Sequence, residues 1–476
     1  MNFAISTADL APLRRAISEA YRRDESACVQ ALLDAATLND DQKAGAQTLA
    51  RQFVETVRTQ GGPSSGVAAL MHEFSLSSEE GIALMCVAEA LLRIPDRDTA
   101  DRLIRDKLSA GDWETHLGQS ASLFVNAAAW GLLITGKLVT PTRAEGLAAG
   151  LTRLLARGGE PLIRRGFDLA MRLLGRQFVL AENIEEALER AGERSERGYR
   201  YSFDMLGEAA LTAADAERYY DAYEHAIHRV GTHGAGRGVH AAHGVSVKLS
   251  ALHPRYARAQ RERVLLELLP RLLALFELAH HYGIGLSIDA EEADRLELSL
   301  ELIEAVASAQ TLQGFQGVGI VVQAYQKRAP YVIDWLVDLA RTRKCRFMLR
   351  LVKGAYWDSE IKRGQIDGAS GYPVYTRKGH TDVAYLACAR KLLEATDVMY
   401  PQFATHNAYS VAVIHELAMH AARGPAEFEF QCLHGMGEQL YDAVQAEIGE
   451  RGACRIYAPV GSHQSLLPYL VRRLLE

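Results

Sequence analysis

Arg350 stands inside an otherwise apolar run, Phe347 to Val352, and Lys353 and Gly354 follow it directly. A branched-rich run of this length, stopped by glycine, suits a buried strand entering a loop. A guanidinium there is costly unless a carboxylate, a phosphate or an electron-rich ligand meets it; the alternative is a strand edge where it reaches water or a structural acid. Other β-compatible runs also end in groups that ionise or hydrogen-bond: Asp204, Lys248, Asp289, Gln323, Thr405 with His406, Gln431 and Tyr457. One such residue is ordinary. Several together imply a shared site.

Lys248 has two chemical readings. A desolvated amine could form a Schiff base. A retained ammonium could hold a carboxylate. Asp289 favours the second, because a neighbouring carboxylate keeps lysine protonated; a surface ion pair is the bland alternative. Arg350, Lys353 and His406 together suit an anionic cofactor, and Gly354 offers backbone that a ligand can approach closely. His406 reads equally as a buried structural histidine. Near the end of the sequence, Tyr469, Arg472, Arg473 and Glu476 are spaced to share one helical face. The arginine fork suits a carboxylate, at roughly 1.5–3 kcal/mol per charge-assisted bond. A solvated basic pair is the simpler reading of the same residues.

Strand–helix alternation must position these groups. Candidate strands lie at 201–205, 245–249, 284–289, 318–323, 346–352, 402–406, 428–431 and 454–457. Helical patterns follow at 213–230, 261–281, 293–309, 331–341, 382–395, 410–420, 438–448 and 465–476. Eight units in sequence predict an α/β fold, a closed parallel (β/α)8 barrel with its site at the strand carboxyl ends. A doubly wound open sheet would show a phosphate-binding glycine turn after its first strand, and Leu206-Gly207-Glu208-Ala209 is not one. Residues 1–200 read as helical throughout, a scaffold, arm or oligomerisation surface; residues 201–476 form the barrel, with the last helix laid over the strand ends.

Composition narrows the class. A chain of 476 residues with 48% hydrophobic and 24% charged residues is ordinary globular protein. Net charge −6 and pI near 6.3 argue against a nucleic-acid surface built on bulk positive charge. No apolar run reaches the roughly 20 residues of a membrane span. The six scattered cysteines suit reduced thiols in a cytoplasmic protein. The glycine- and histidine-rich stretch from Gly231 to Gly244 reads as a mobile surface connection rather than a metal site.

Long runs carry a resemblance to the proline dehydrogenase domain of bifunctional proline utilization A flavoenzymes. They are residues 71–81 and 122–127 in the helical half, then 201–208, 248–256, 288–294, 323–327, 350–358 and 469–473. The resemblance implies a distorted barrel holding non-covalent FAD that oxidises L-proline to 1-pyrroline-5-carboxylate, the first step of proline catabolism, with a membrane quinone as electron acceptor. It assigns Lys248, Arg472 and Arg473 to the substrate carboxylate and Asp289 to orienting that cluster. Tyr457, Tyr469, Leu433 and Ala355 would shape the pocket. Arg350 would sit by the flavin, which Ala290, Gln323, Lys353, Gly354, Ala355, Trp357, Thr405, His406, Gln431 and Glu476 would line. Full-length members continue into an aldehyde dehydrogenase domain and some begin with a DNA-binding module; neither is expected in this chain, which reads as truncated at Glu476. The competing readings are a flavin barrel of the methylenetetrahydrofolate reductase type, a Schiff-base aldolase, and a helical interaction scaffold.

Overall fold

The computed structural model describes residues 11–60 and 178–461, apart from 422 and 425, together with Thr99. Two compact units are present. One comprises Met1–Val57 with Ala181–Gly461; the other, Arg58–Leu180 with Ser462–Glu476, lies almost wholly outside the described residues. These units cut the chain differently from the expected 1–200 and 201–476, because the first helices cluster with the barrel.

In the first unit three helices, α1 (Ala11–Glu19), α2 (Glu25–Ala36) and α3 (Asp40–Gln60), come before α4 (Ile184–Glu196). The barrel then runs β1 (Arg200–Met205), α5 (Ala213–His233), β2 (Gly244–Val247), α6 (Arg261–Tyr282), β3 (Leu286–Ile288), α7 (Leu296–Ala307) and β4 (Val318–Gln323). It continues with α8 (Ala329–Arg343), β5 (Phe347–Val352), α9 (Trp357–Ile366), α10 (Lys378–Glu394), β6 (Met399–Ala404), α11 (Ala408–His420), β7 (Glu429–Leu433), α12 (Glu438–Ile448) and β8 (Cys454–Val460).

All eight strands are parallel and close in sequence order. The closing seam is the most extended, running from Arg200 opposite Arg455 to Met205 opposite Val460. Helices cover the outside, so outward strand positions such as Phe347, Leu349, Leu351, Phe403 and Phe430 are fully buried. α8 shows the matching helical face: Val332, Ile333, Trp335, Leu336, Leu339 and Ala340 are buried, each large side chain contributing about 1.5–3 kcal/mol. Local signals set the helix ends. Thr212 and Asp215 form a complete capping box on α5, and Gly283 ends α6 in the left-handed conformation (φ 67°).

Three local expectations shift. β6 begins at Met399 rather than Gln402, because Pro401 lies inside the strand, where its missing N–H argues against strand from sequence. After Val247 the chain turns into a single helical turn, Leu249–Leu252, so β2 is shorter than expected. α9 was not anticipated. The last helical pattern, 465–476, lies outside the described residues.

Candidate active site

Alternate residues of a strand face the same side, and the inward face of this barrel is polar along its length. At the carboxyl end, Lys248 Nζ donates to Asp204 Oδ1 (2.6 Å), Asp289 Oδ2 (3.1 Å) and the Tyr457 hydroxyl (3.1 Å). These use all three ammonium protons. The Tyr457 hydroxyl in turn donates to Asp289 Oδ2 at 2.6 Å.

One layer deeper, Arg350 makes a fork of four bonds: Nη1 to Asp289 Oδ1 (2.8 Å), Nε to Gln431 Oε1 (2.7 Å), and Nη2 to the hydroxyls of Ser202 and Ser246 (both 3.0 Å). Its guanidinium lies 4.9 Å from the Tyr457 ring centroid. Gln431 passes the network downward through Nε2 to Glu429 (3.2 Å), which Arg455 grips at 2.6 and 3.2 Å.

Electrostatics follow from this geometry. Burial acts against the Lys248 charge, but Asp204, Tyr457 and Asp289 outweigh it and hold the ammonium well above the ordinary lysine range. Burial would raise Asp289, yet Lys248 and Arg350 prevail and keep it below the usual carboxylate value. Asp204 goes the other way: burial pushes its carboxyl up despite Lys248, with Asp289 adding repulsion. Among the described residues its Oδ2 is buried with no hydrogen-bond partner. Two carboxyls on one lysine are thereby driven apart. A lysine held this firmly as ammonium is a poor Schiff-base nucleophile, which favours the carboxylate-holding reading.

The remaining sequence candidates divide. Gln323 is buried, donating Nε2 to the Glu291 carbonyl at 2.8 Å, and with Asp289 and Ala290 it lines a cavity of about 30 Å³. Lys353 pairs with Asp382 at 2.5 Å. Gly354 adopts φ 144°, and a Cβ there would meet the Tyr325 ring at 2.4 Å. Ala355 is half-buried beside it, and Trp357 is exposed while donating Nε1 to the Tyr375 carbonyl at 2.9 Å. His406 Nε2 accepts from the Leu433 N–H at 3.0 Å, so a neutral ring carries its proton on Nδ1 and joins the ends of β6 and β7. Thr405 Oγ1 accepts from the Asn407 N–H at 3.1 Å. Tyr469, Arg472, Arg473 and Glu476 lie outside the described residues.

Sequence reading missed Ser202 and Ser246 as partners of Arg350, and left Asp204 without a role. Their signal was register: Ser202 precedes Asp204 by two residues, as Ser246 precedes Lys248. The stretch from Gly231 to Gly244 has an exposed turn at 235–238, as a surface connection would, but its two ends are built into the fold. Its first residues end α5, and His243 is 2% exposed, its Nδ1 accepting from the Tyr201 N–H at 3.1 Å. His240 stacks on Tyr400 at 4.0 Å.

Comparison with known proteins agrees with this geometry. The family model described as proline dehydrogenase matches residues 187–476, and that for the proline utilization A proline dehydrogenase N-terminal domain matches 11–58. Residues 66–178 match the model described as the DNA-binding domain of proline dehydrogenase, which corrects the expectation that such a segment is missing. Net charge averages over the whole chain and is blind to one module. The chain is 57% identical over 469 residues to the bifunctional protein PutA of Escherichia coli, covering 97% of this chain and 36% of that protein. It is 26% identical over 306 residues to proline dehydrogenase 1 of Bacillus subtilis, covering 64% of this chain and 87% of that one. Among solved structures, proline utilization A of Bradyrhizobium japonicum superposes with a TM-score of 0.71 at 46% identity, covering 96% of this chain and 45% of that one. The chain thus spans little more than a third of the length of the curated PutA relative. It belongs to the proline dehydrogenase family.

Proposed function

We propose that this chain oxidises L-proline to 1-pyrroline-5-carboxylate with non-covalently bound FAD, passing the electrons on to a quinone as a cytoplasmic enzyme. The observation that carries the reading is Asp289 bonded to both Lys248 and Arg350 at the carboxyl end of the barrel. In this reading Lys248, with Arg472 and Arg473, binds the substrate carboxylate, and Tyr457, Tyr469, Leu433 and Ala355 enclose the ring. With its three protons already engaged, Lys248 must exchange one partner when that carboxylate arrives. Asp289 keeps both cations in place through the exchange. Asp204 Oδ2, buried, unpartnered among the described residues and raised by burial, is a suitable atom to hold a proton within this cluster.

The chain fits a flavin. Gly354 gives a backbone approach that any side chain would close, and Lys353 and Arg350 bring cations to that wall. Ala290, Gln323, Trp357, Thr405, His406, Gln431 and Glu476 would line it. FAD supplies the hydride acceptor that no side chain can provide. Arg350 would face charge arriving on reduction from a water-poor setting, where a fixed cation is most effective. Among the described residues no helix is long and apolar enough to cross a membrane.

Anaerobic titration of the flavin-loaded chain tests the reading. Bleaching of the visible flavin bands by proline is expected. Bleaching by NADH but not by proline would favour the reductase-type barrel, and a chain that cannot take up FAD would favour a scaffold. Arg472→Met or Arg473→Met should weaken proline use by roughly 10-fold or more with flavin retained.

A further inference from the structure

The turn between α1 and α2 reaches the cofactor-side wall without placing a side chain in it. α2 already has a cap, since the Ala27 N–H donates to Asp24 Oδ1 at 2.8 Å. The next carboxylate, Glu25, points elsewhere. It accepts from the Thr376 N–H at 3.0 and 3.1 Å and from the Thr376 hydroxyl at 3.0 Å, and it pairs with His380 Nδ1. Thr376 precedes α10 and His380 lies in its first turn, and the N-cap residue between them, Arg377, makes no side-chain cap bond. Glu25 therefore supplies, from 351 residues away, the negative group that a helix N-terminus favours.

Both ends of this contact lead to the wall. Asp382, in the next turn of α10, holds Lys353 Nζ, and the Tyr375 carbonyl beside Thr376 accepts from Trp357 Nε1. Tyr325 knits the loops together: its N–H donates to the Lys353 carbonyl at 2.7 Å and its carbonyl accepts from the Tyr375 N–H at 2.8 Å. A parallel tie runs from Lys327 Nζ to the Arg23 carbonyl (2.9 Å) and from Arg23 Nη1 to the Tyr331 hydroxyl (3.0 Å). Cys28 packs against Tyr375 and Ala384 beneath.

We propose that Glu25 is a positioning residue of the cofactor site, fixing the start of α10 and through it the side chains of Lys353 and Trp357. This rests on the flavin reading above. The bonds to Thr376 are charge-assisted, and although Thr376 itself is exposed the Glu25 side chain is only 17% exposed, so they tie a loop otherwise held by neutral contacts.

The test uses the full chain stripped of flavin, as parent, Glu25→Ala, Glu25→Gln and Thr376→Val. FAD affinity is measured by quenching of flavin fluorescence, and amide hydrogen exchange of residues 367–380 is followed in the apoproteins. Glu25→Ala should weaken FAD about 10-fold or more and speed exchange at Tyr375 and Thr376. Glu25→Gln and Thr376→Val should fall between, with KM for proline at saturating FAD within about twofold of the parent. Unchanged FAD affinity and exchange in Glu25→Ala would overturn the proposal, as would a lower melting temperature with unchanged affinity. If Glu25→Ala does not fold, Thr376→Val decides by the same two readouts. A parent chain that takes up no FAD would overturn the flavin reading itself, and this inference with it.

Discussion

Asp289 accepts from Lys248 through Oδ2 at 3.1 Å and from Arg350 through Oδ1 at 2.8 Å, so one carboxylate orients both buried cations of the site. Asp289→Asn keeps the shape but must turn an NH2 toward one of them. The expected loss is about 2–4 kcal/mol in transition-state binding, roughly 30- to 1000-fold in kcat/KM for proline. Steady-state kinetics on flavin-loaded protein with native circular dichroism check it, and parity with the parent would remove Asp289 from the site.

At the other end of the barrel, Glu429 and Arg455 are both fully buried. Removing Arg455 leaves Glu429 with Arg200, at 3.1 Å, to offset a fully buried charge that two cations hold in the parent. Arg455→Met should therefore cost about 3–5 kcal/mol, and adding Glu429→Gln should restore part of it. Urea unfolding of the two variants and the parent measures this; strict additivity of the two losses would deny the coupling.

Acid stability should fall in two stages. Burial lowers His243 from 6.5 to about 3, so the folded ring stays neutral while the unfolded chain gains a proton as pH drops below 6.5. Stability then falls with pH from 6.5 downward. Burial works to raise Glu429, but Arg455 and Arg200 hold it at about 2 against the ordinary 4.5. Its contribution is whole above 4.5 and is lost as pH falls through 2. His240 is lowered to about 4 by burial as well, so His243→Gln should reduce the fall of the urea midpoint between pH 6.5 and 4.5 without abolishing it, and leave the lower stage in place.

Gly354→Ala meets two penalties, φ 144° and a Cβ 2.4 Å from the Tyr325 ring. Loss of FAD affinity by 10-fold or more (about 1.4 kcal/mol) is the expected result. Tyr325→Ala in the same chain should recover part of it by opening space while the backbone strain remains. Equal affinities in parent and Gly354→Ala would show that the wall does not approach the flavin there.

Much of this site is legible in the sequence because charge is rare in a buried strand. Arg350 stands out in its apolar run, and Lys248, Asp289 and Tyr457 stand out as strand ends. Ser202 and Ser246 do not, since serine is unremarkable anywhere and only the closed barrel brings β1 and β2 across from β5. His243 misleads because the glycines around it suggest a loose loop, whereas the ring fills space beneath Tyr201. Pro401 hides the start of β6. The function of α1 and α2 is unreadable from periodicity, because their partners Thr376, Lys327 and Tyr331 lie hundreds of residues onward.

The seam between β1 and β8 bears on how the protein is made. β8 is made after all the other strands, so until it emerges one edge of β1 carries unpaired backbone groups beside the apolar Phe203. Such an edge is a template for pairing with another nascent chain. Tyr457 arrives on the last strand, so Lys248 and Asp289 gain their shared hydroxyl only when the ring closes. Assembly of the site thus waits for barrel closure, and until then the open edge of β1 is the place where the barrel can mispair.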